Sequence, residues 1–218
     1  NIYFDDYETI KKQFDESRKA KIAITPSLGL TSISYKQTGF SDYSAIALTA
    51  KIDAQYFLVS NKWDVAANMF INALPLSVSP SDLTFRVLGI NLRGGYVVPY
   101  VRDPWRLSVM AGLFYTTVIS SNAQFGYRGL LYPQFYPVAR HRFSNGTTGY
   151  TYLKYVPLGD NFFSIDFTYR EIALGSGWIR RMANGHPMMF TFDFSNLVTK
   201  FNRTHTSTSF SLGVGYGL

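Results

Sequence analysis

The stretch FSLGVGYGL, residues 210–218, alternates without interruption. Phe210, Leu212, Val214, Tyr216 and Leu218 share one parity; Ser211, Gly213, Gly215 and Gly217 share the other. Successive side chains of a β-strand point to opposite faces, so this segment reads as a strand with one apolar face and one small, polar face. The same division recurs upstream. Ile22, Ile24, Leu28 and Leu30 share a face in the first segment. Ile46, Leu48, Ala50, Ile52, Ala54, Tyr56 and Leu58 oppose Lys51, Asp53 and Gln55. Trp63, Val65, Ala67, Met69 and Ile71 oppose Asp64, Asn68 and Asn72. Leu88, Ile90, Leu92, Tyr96 and Val98 oppose Asn91, Arg93 and Gly95. Trp105, Leu107, Val109, Ala111, Leu113 and Tyr115 oppose Arg106, Ser108 and Gly112. Further on, Phe163, Ile165, Phe167 and Tyr169 oppose Asp166 and Arg170, and Phe190, Phe192 and Phe194 oppose Thr191 and Asp193.

Composition says what the apolar faces meet. Of 218 residues, 17% are aromatic and only 16% charged, against about 25% charged in a soluble domain. Yet no window approaches the ~18 continuous apolar residues of a membrane helix; the apolar run at 65–76 is broken by Asn68 and Asn72. A chain apolar on average but nowhere continuously fits an all-β, transmembrane, antiparallel up-and-down β-barrel, where every second residue meets lipid. Closure leaves no backbone amide unpaired in hydrocarbon. Ten strands are expected, and the region 120–158 also admits divisions giving eight or twelve. Pro133 and Pro137 blur the sixth strand, because proline donates nothing to a ladder. Residues 120–129 read as a polar loop, and Asn145-Gly146 and Asn184-Gly185 as hairpin turns.

Residues 210–218 resemble the C-terminal strand of bacterial outer-membrane β-barrels, which alternates apolar residues and usually ends in an aromatic; here Leu218 takes that place. The resemblance covers about residues 21–218. It implies a bacterial outer-membrane location with both termini periplasmic. It also implies outer-membrane lipid, including lipopolysaccharide, and the outer-membrane assembly machinery as partners. The start at Asn1, without Met, is what signal-peptide removal leaves.

Residues 1–19 stand apart. Tyr3, Tyr7, Ile10 and Phe14 recur at helical spacing among many charges, predicting a short amphipathic periplasmic helix before a barrel at 20–218. Its expected role is to pack on the rim, with a luminal plug as the alternative.

The candidate lumen-lining residues carry both signs: Lys51, Asp53, Asp64, Arg93, Arg106, Asp166, Arg170 and Asp193. In a narrow barrel such groups either pair across the interior or line a thin pore. Trp63, Trp105 and Trp178 are candidate interfacial aromatics. For catalysis the candidates are His205 and Ser207, which share a strand parity with Ser209. A hydrolase also needs an acid to orient the ring. There is no Cys, no HExxH and no phosphate-binding loop, so no cofactor or metal is expected. The net charge of +7 is scattered, with clusters only at Arg18-Lys19-Lys21, Arg140-His141-Arg142 and Arg180-Arg181; it points to no nucleic acid. The expected function is a structural or interaction barrel anchoring an envelope or periplasmic partner. The alternatives are a narrow pore for small polar solutes and a membrane-embedded lipid hydrolase.

Overall fold

The computed structural model describes residues 21–57, 62–81, 83–101, 104–158, 168–200 and 203–217. The N-terminal helix expected at 1–19, Asp166, the start of the eighth predicted strand and Leu218 lie outside them. Ten antiparallel strands follow one another: β1 (Lys21–Gln37), β2 (Tyr43–Phe57), β3 (Trp63–Ser79), β4 (Phe85–Val97), β5 (Trp105–Ser120), β6 (Leu130–Arg142), β7 (Thr148–Leu158), β8 (Thr168–Arg181), β9 (Pro187–Lys200) and β10 (Thr204–Tyr216). Each pairs with its neighbours, and β10 closes on β1 in the register Ser27↔Gly215 through Gln37↔His205. The barrel is closed, and its strand number is ten. Because the number is even, β1 begins and β10 ends at the same end of the barrel, called here the turn end. The end at which β1, β3, β5, β7 and β9 finish is the loop end.

The registers show which parity points inward. Along β10, Phe210, Leu212, Val214 and Tyr216 are 42–63% exposed and meet Phe194, Phe192, Phe190 and Met188 of β9 on the same outer face. Leu28, Leu30, Ile46, Ile52, Met69, Ile90, Leu92, Leu113, Ile172 and Leu174 continue this exposed apolar surface around the barrel. So much outward apolar surface is unfavourable in water and favourable in hydrocarbon. Inside, several glycines sit where neighbours need room. A Cβ on Gly175 would lie 2.3 Å from the Tyr152 ring, and one on Gly89 would lie 2.3 Å from the Phe70 ring. Both rings lie over their cross-strand glycine.

The uncertain sixth strand runs straight through both prolines. Pro133 and Pro137 share the outer parity with exposed Leu131 and Phe135. The β5 ladder is continuous past them. On the β7 side the pairing skips from Phe135↔Tyr155 to Val138↔Tyr152 in unchanged register, as expected where a proline has no N–H to donate. Asn145-Gly146 and Asn184-Gly185 both form tight turns. Their glycines have φ of 78° and 84°, and their asparagine Oδ1 atoms accept from Thr147 N and His186 N at 3.0 and 3.1 Å.

On β1, β2 and β8 the polarity of the two faces reverses at the loop end, while Ile119 of β5 and Leu131 of β6 stay apolar and exposed there. Ile33, Tyr35 and Tyr43 are inward and at most 3% exposed, while Ser32, Ser34, Ser44 and Lys36 face out. The same reversal corrects one expectation. Arg170 is exposed on the outer face, and its neighbours Tyr169 and Glu171 point inward and are buried. Reading apolar as outward assigns Tyr169 to the wrong side.

Candidate functional site

The interior is built in layers. Nearest the turn end, β3, β5 and β6 bring together Asp64, Arg106, Ser108 and Arg140. Asp64 is fully buried; Arg106 Nη2 and Arg140 Nη1 reach its two oxygens at 2.8 and 3.1 Å, and the Ser108 hydroxyl donates to it at 2.6 Å. A carboxylate satisfied by two guanidiniums and a hydroxyl meets what a buried charge requires. Next comes Lys51, 3.3 Å from Asp53 and 3.9 Å from Asp193. Asp193 also accepts a hydrogen bond from the Tyr152 hydroxyl. Arg93 projects inward beside them, its guanidinium carbon 4.2 Å from the centroid of the Tyr136 ring. Higher still, Lys154 pairs with Glu171 at 2.8 Å, both nearly buried, and the Tyr169 hydroxyl donates to the same carboxylate at 2.7 Å.

The structure thus brings Lys51, Asp53 and Asp193 into one group, and Asp64 and Arg106 into another. Arg170 lies apart on the outside. Sequence reasoning missed Arg140, Lys154 and Glu171. Arg140 was visible only as part of a basic cluster, and Asp64 is 76 residues away. Lys154 and Glu171 belong to segments whose inward faces also hold Tyr152, Val156 and Tyr169, so polarity gave no sign of their direction.

Above these groups the barrel is corked. Tyr35, Tyr43, Phe85, Val118, Phe125, Tyr127, Leu130, Tyr132, Val156, Tyr169 and Leu197 form one buried cluster. Phe125 comes from the connection between β5 and β6, read from sequence as a polar loop. Its ring centroid lies 5.1–6.1 Å from those of Tyr35, Phe40, Tyr43 and Phe85, with no exposed surface. The loop is clamped by Gln37, whose Nε2 donates to Gln124 O at 2.8 Å and whose Oε1 accepts from Gly126 N at 2.8 Å. Gly126 adopts φ 95°, a backbone state that side chains disfavour. Two aromatics flanking a glycine inside a polar run were the available signal.

His205 belongs to this cork. It is 5% exposed, and its Nδ1 lies 2.6 Å from the Tyr35 hydroxyl. Ser207 lines the cavity below. Among the described residues no carboxylate hydrogen-bonds His205.

Beneath the cork lie two internal cavities, of about 160 and 100 Å³. The larger has one wall of small hydroxyl side chains, including Thr31, Thr49, Ser209 and Ser211, facing Phe114, Tyr136 and Tyr152. The smaller lies toward the turn end and is lined by Lys51, Asp53, Gln55, Arg93, Arg140 and Tyr150. Lys51, Asn68, Tyr136 and Tyr152 border both.

On the outer face, Trp63, Trp105 and Trp178 all lie at the turn end and are 51–53% exposed. Trp63 meets Tyr96 edge-on at 5.4 Å, and Trp105 meets His141 at 4.5 Å. Tyr216 stacks on His186 and accepts from Asn184 Nδ2 at 2.7 Å.

No protein-family model matches the sequence, and no curated protein sequence matches it. Solved structures do. The outer membrane protease OmpT from Escherichia coli aligns over 90% of this chain and 95% of its own, with a TM-score of 0.66 and 11% identity. The translocator domain of the autotransporter NalP from Neisseria meningitidis covers 98% of this chain and 95% of its own, with a TM-score of 0.46 and 11% identity. The Bordetella BrkA autotransporter domain gives 0.44 at 12% identity, over 90% and 98%. At such identities the likeness is one of architecture. With its apolar exterior and closed ladder, the chain has the ten-stranded transmembrane fold of bacterial outer-membrane β-barrels.

Proposed function

We propose that this protein is a sealed outer-membrane barrel that anchors an envelope or periplasmic partner. The observation that carries this reading is the cork, an aromatic cluster with Phe125 at its centre and Gln37 holding its loop. Such packing resembles a protein interior, which excludes water and ions. Below it, ion pairs span the lumen. In this reading the turn end faces the periplasm, Trp63, Trp105 and Trp178 mark the inner interface, and the outward belt meets lipid, including lipopolysaccharide at the outer leaflet. The alternating outer face of β10 supports recognition by the assembly machinery. Residues 1–19, which precede β1 in the chain, are the expected handle for the partner. Reconstituted in a planar bilayer, the full chain stays electrically silent. A steady conductance without added ligand contradicts the sealed reading. Co-purification from native membranes is expected to retain a partner that is lost when residues 1–19 are deleted; a bare barrel in both forms contradicts the anchoring role.

A second reading has a specific observation behind it. Among the described residues the cork lies between the two cavities and the loop end, and releasing its clamp would open a path from them. If the protein is a gated narrow pore, Gln37→Ala opens measurable conductance; a silent variant with a folded barrel removes the pore reading.

A further inference from the structure

The charges of the turn-end half of the interior do not balance. Among the described residues, Lys51, Arg93, Arg106 and Arg140 face three carboxylates, Asp53, Asp64 and Asp193. Asp64 is engaged by Arg106 and Arg140, and Asp53 and Asp193 flank Lys51. Among the described residues no carboxylate lies within ion-pair distance of Arg93. Its Nε and Nη1 are buried without an acceptor, and so are Arg106 Nε and Gln55 Nε2. The stack on Tyr136 holds the guanidinium plane but accepts none of these protons. Its cross-strand neighbours on the inner face, Ala66 and Gly112, are small, so space is left beside it. Arg93, Arg140, Lys51 and Gln55 all line the cavity of about 100 Å³. Among the described residues the open side is the turn end, where Arg106 keeps 29% of its side chain exposed and Arg140 19%; the loop end is corked.

We propose that this cavity is a binding site for a small oxyanion, a carboxylate or phosphate group that enters from the turn end and is held by Arg93 with Gln55, Lys51 and Arg140. A cation enclosed in a low-dielectric site without a counter-charge is destabilising, and an oxyanion supplies both the charge and the acceptors that the orphaned N–H groups require. Asp53, the acidic group in the lining, limits affinity and favours a single small anion over a polyanion. The site lies beyond the sealed-anchor reading and does not depend on it.

Isothermal titration of the full chain in detergent, with inorganic phosphate and separately with acetate at constant ionic strength in chloride, tests the site. The expected result is saturable binding of at least one of the two anions, weakened tenfold or more in Arg93→Gln and unchanged in Arg181→Gln, an exposed turn-end arginine. Thermal unfolding separates ligand binding from a purely structural role. Without added oxyanion, Arg93→Gln unfolds at the same temperature as the wild type or higher, because it removes an uncompensated charge, and it loses the upward shift that the bound anion gives the wild type. No saturable binding of either anion, equal binding by Arg93→Gln, or a lower unfolding temperature of that variant in oxyanion-free buffer would overturn the proposal.

Discussion

The membrane belt and the loop end share the same ladder and opposite polarities. On β1, Leu28 and Leu30 are exposed outward while Thr31 is buried inward. One turn of the pattern later, Ser32 and Ser34 face out and Ile33 and Tyr35 are buried. On β8, Ile172 and Leu174 face out in the belt, and Arg170 faces out beyond it. The lower part is arranged for hydrocarbon outside and polar groups inside. The upper part has the apolar core of a soluble barrel and, on β1, β2 and β8, a polar exterior. Strands of 13–17 residues in β1 to β6 make room for both, since a bilayer crossing needs only ~9–11. The difference locates the seal: the cork sits where the surroundings turn from lipid to water.

The two regions are held by different forces, and substitutions separate them. Asp64→Ala leaves two arginines facing a void in the belt region, and such a loss costs about 3–5 kcal/mol. It is read as a lower urea midpoint for reversible unfolding from lipid vesicles. Phe125→Ala empties the centre of the cork, with an expected loss of about 3–5 kcal/mol if the cork is part of the cooperative unit. A loss confined to local opening, seen as hydrogen exchange of residues 121–129 with an unchanged midpoint, would instead make the cork an independent module. Leu28→Arg places a charge against lipid at a cost of about 2–4 kcal/mol, whereas Ser34→Arg, six residues along the same outer face, costs about 0–1 kcal/mol. Equal costs would erase the distinction between the regions. The smallest effect is Tyr35→Phe, which removes the hydroxyl from His205 at a cost of about 1 kcal/mol in the same unfolding assay.

The belt was legible in the sequence because its rule is simple: on β2, β4, β5, β9 and β10 the apolar parity is the lipid parity for the residues within the ladder; Leu58 and Leu218 lie outside the described residues. The loop end was not legible by that rule. Tyr169 is apolar and inward, and Arg170 is charged and outward, because water has replaced lipid as the outer solvent. Parity alone gives two faces without saying which is inside; the register with the neighbouring strands decides it. Phe125 was hidden for another reason. A single buried aromatic in a polar loop has no periodicity, and its partners Tyr35, Tyr43 and Phe85 come from three distant strands. Among the interior charges, Lys51, Asp53 and Asp64 followed from alternation. Their pairing did not, because Lys51 reaches Asp193 across the lumen and Asp64 reaches Arg140 three strands away.

The reversal can be measured directly, since the chain contains no cysteine and single-cysteine spin labels can be placed at will. Labels on Leu28 and Ser34 in vesicles report collision with oxygen, which concentrates in hydrocarbon, and with a water-soluble nickel complex. The label at 28 is expected to favour oxygen and the label at 34 nickel. Oxygen-dominated collisions at both positions would place the corked end inside the bilayer and contradict a soluble-type core standing above a membrane barrel.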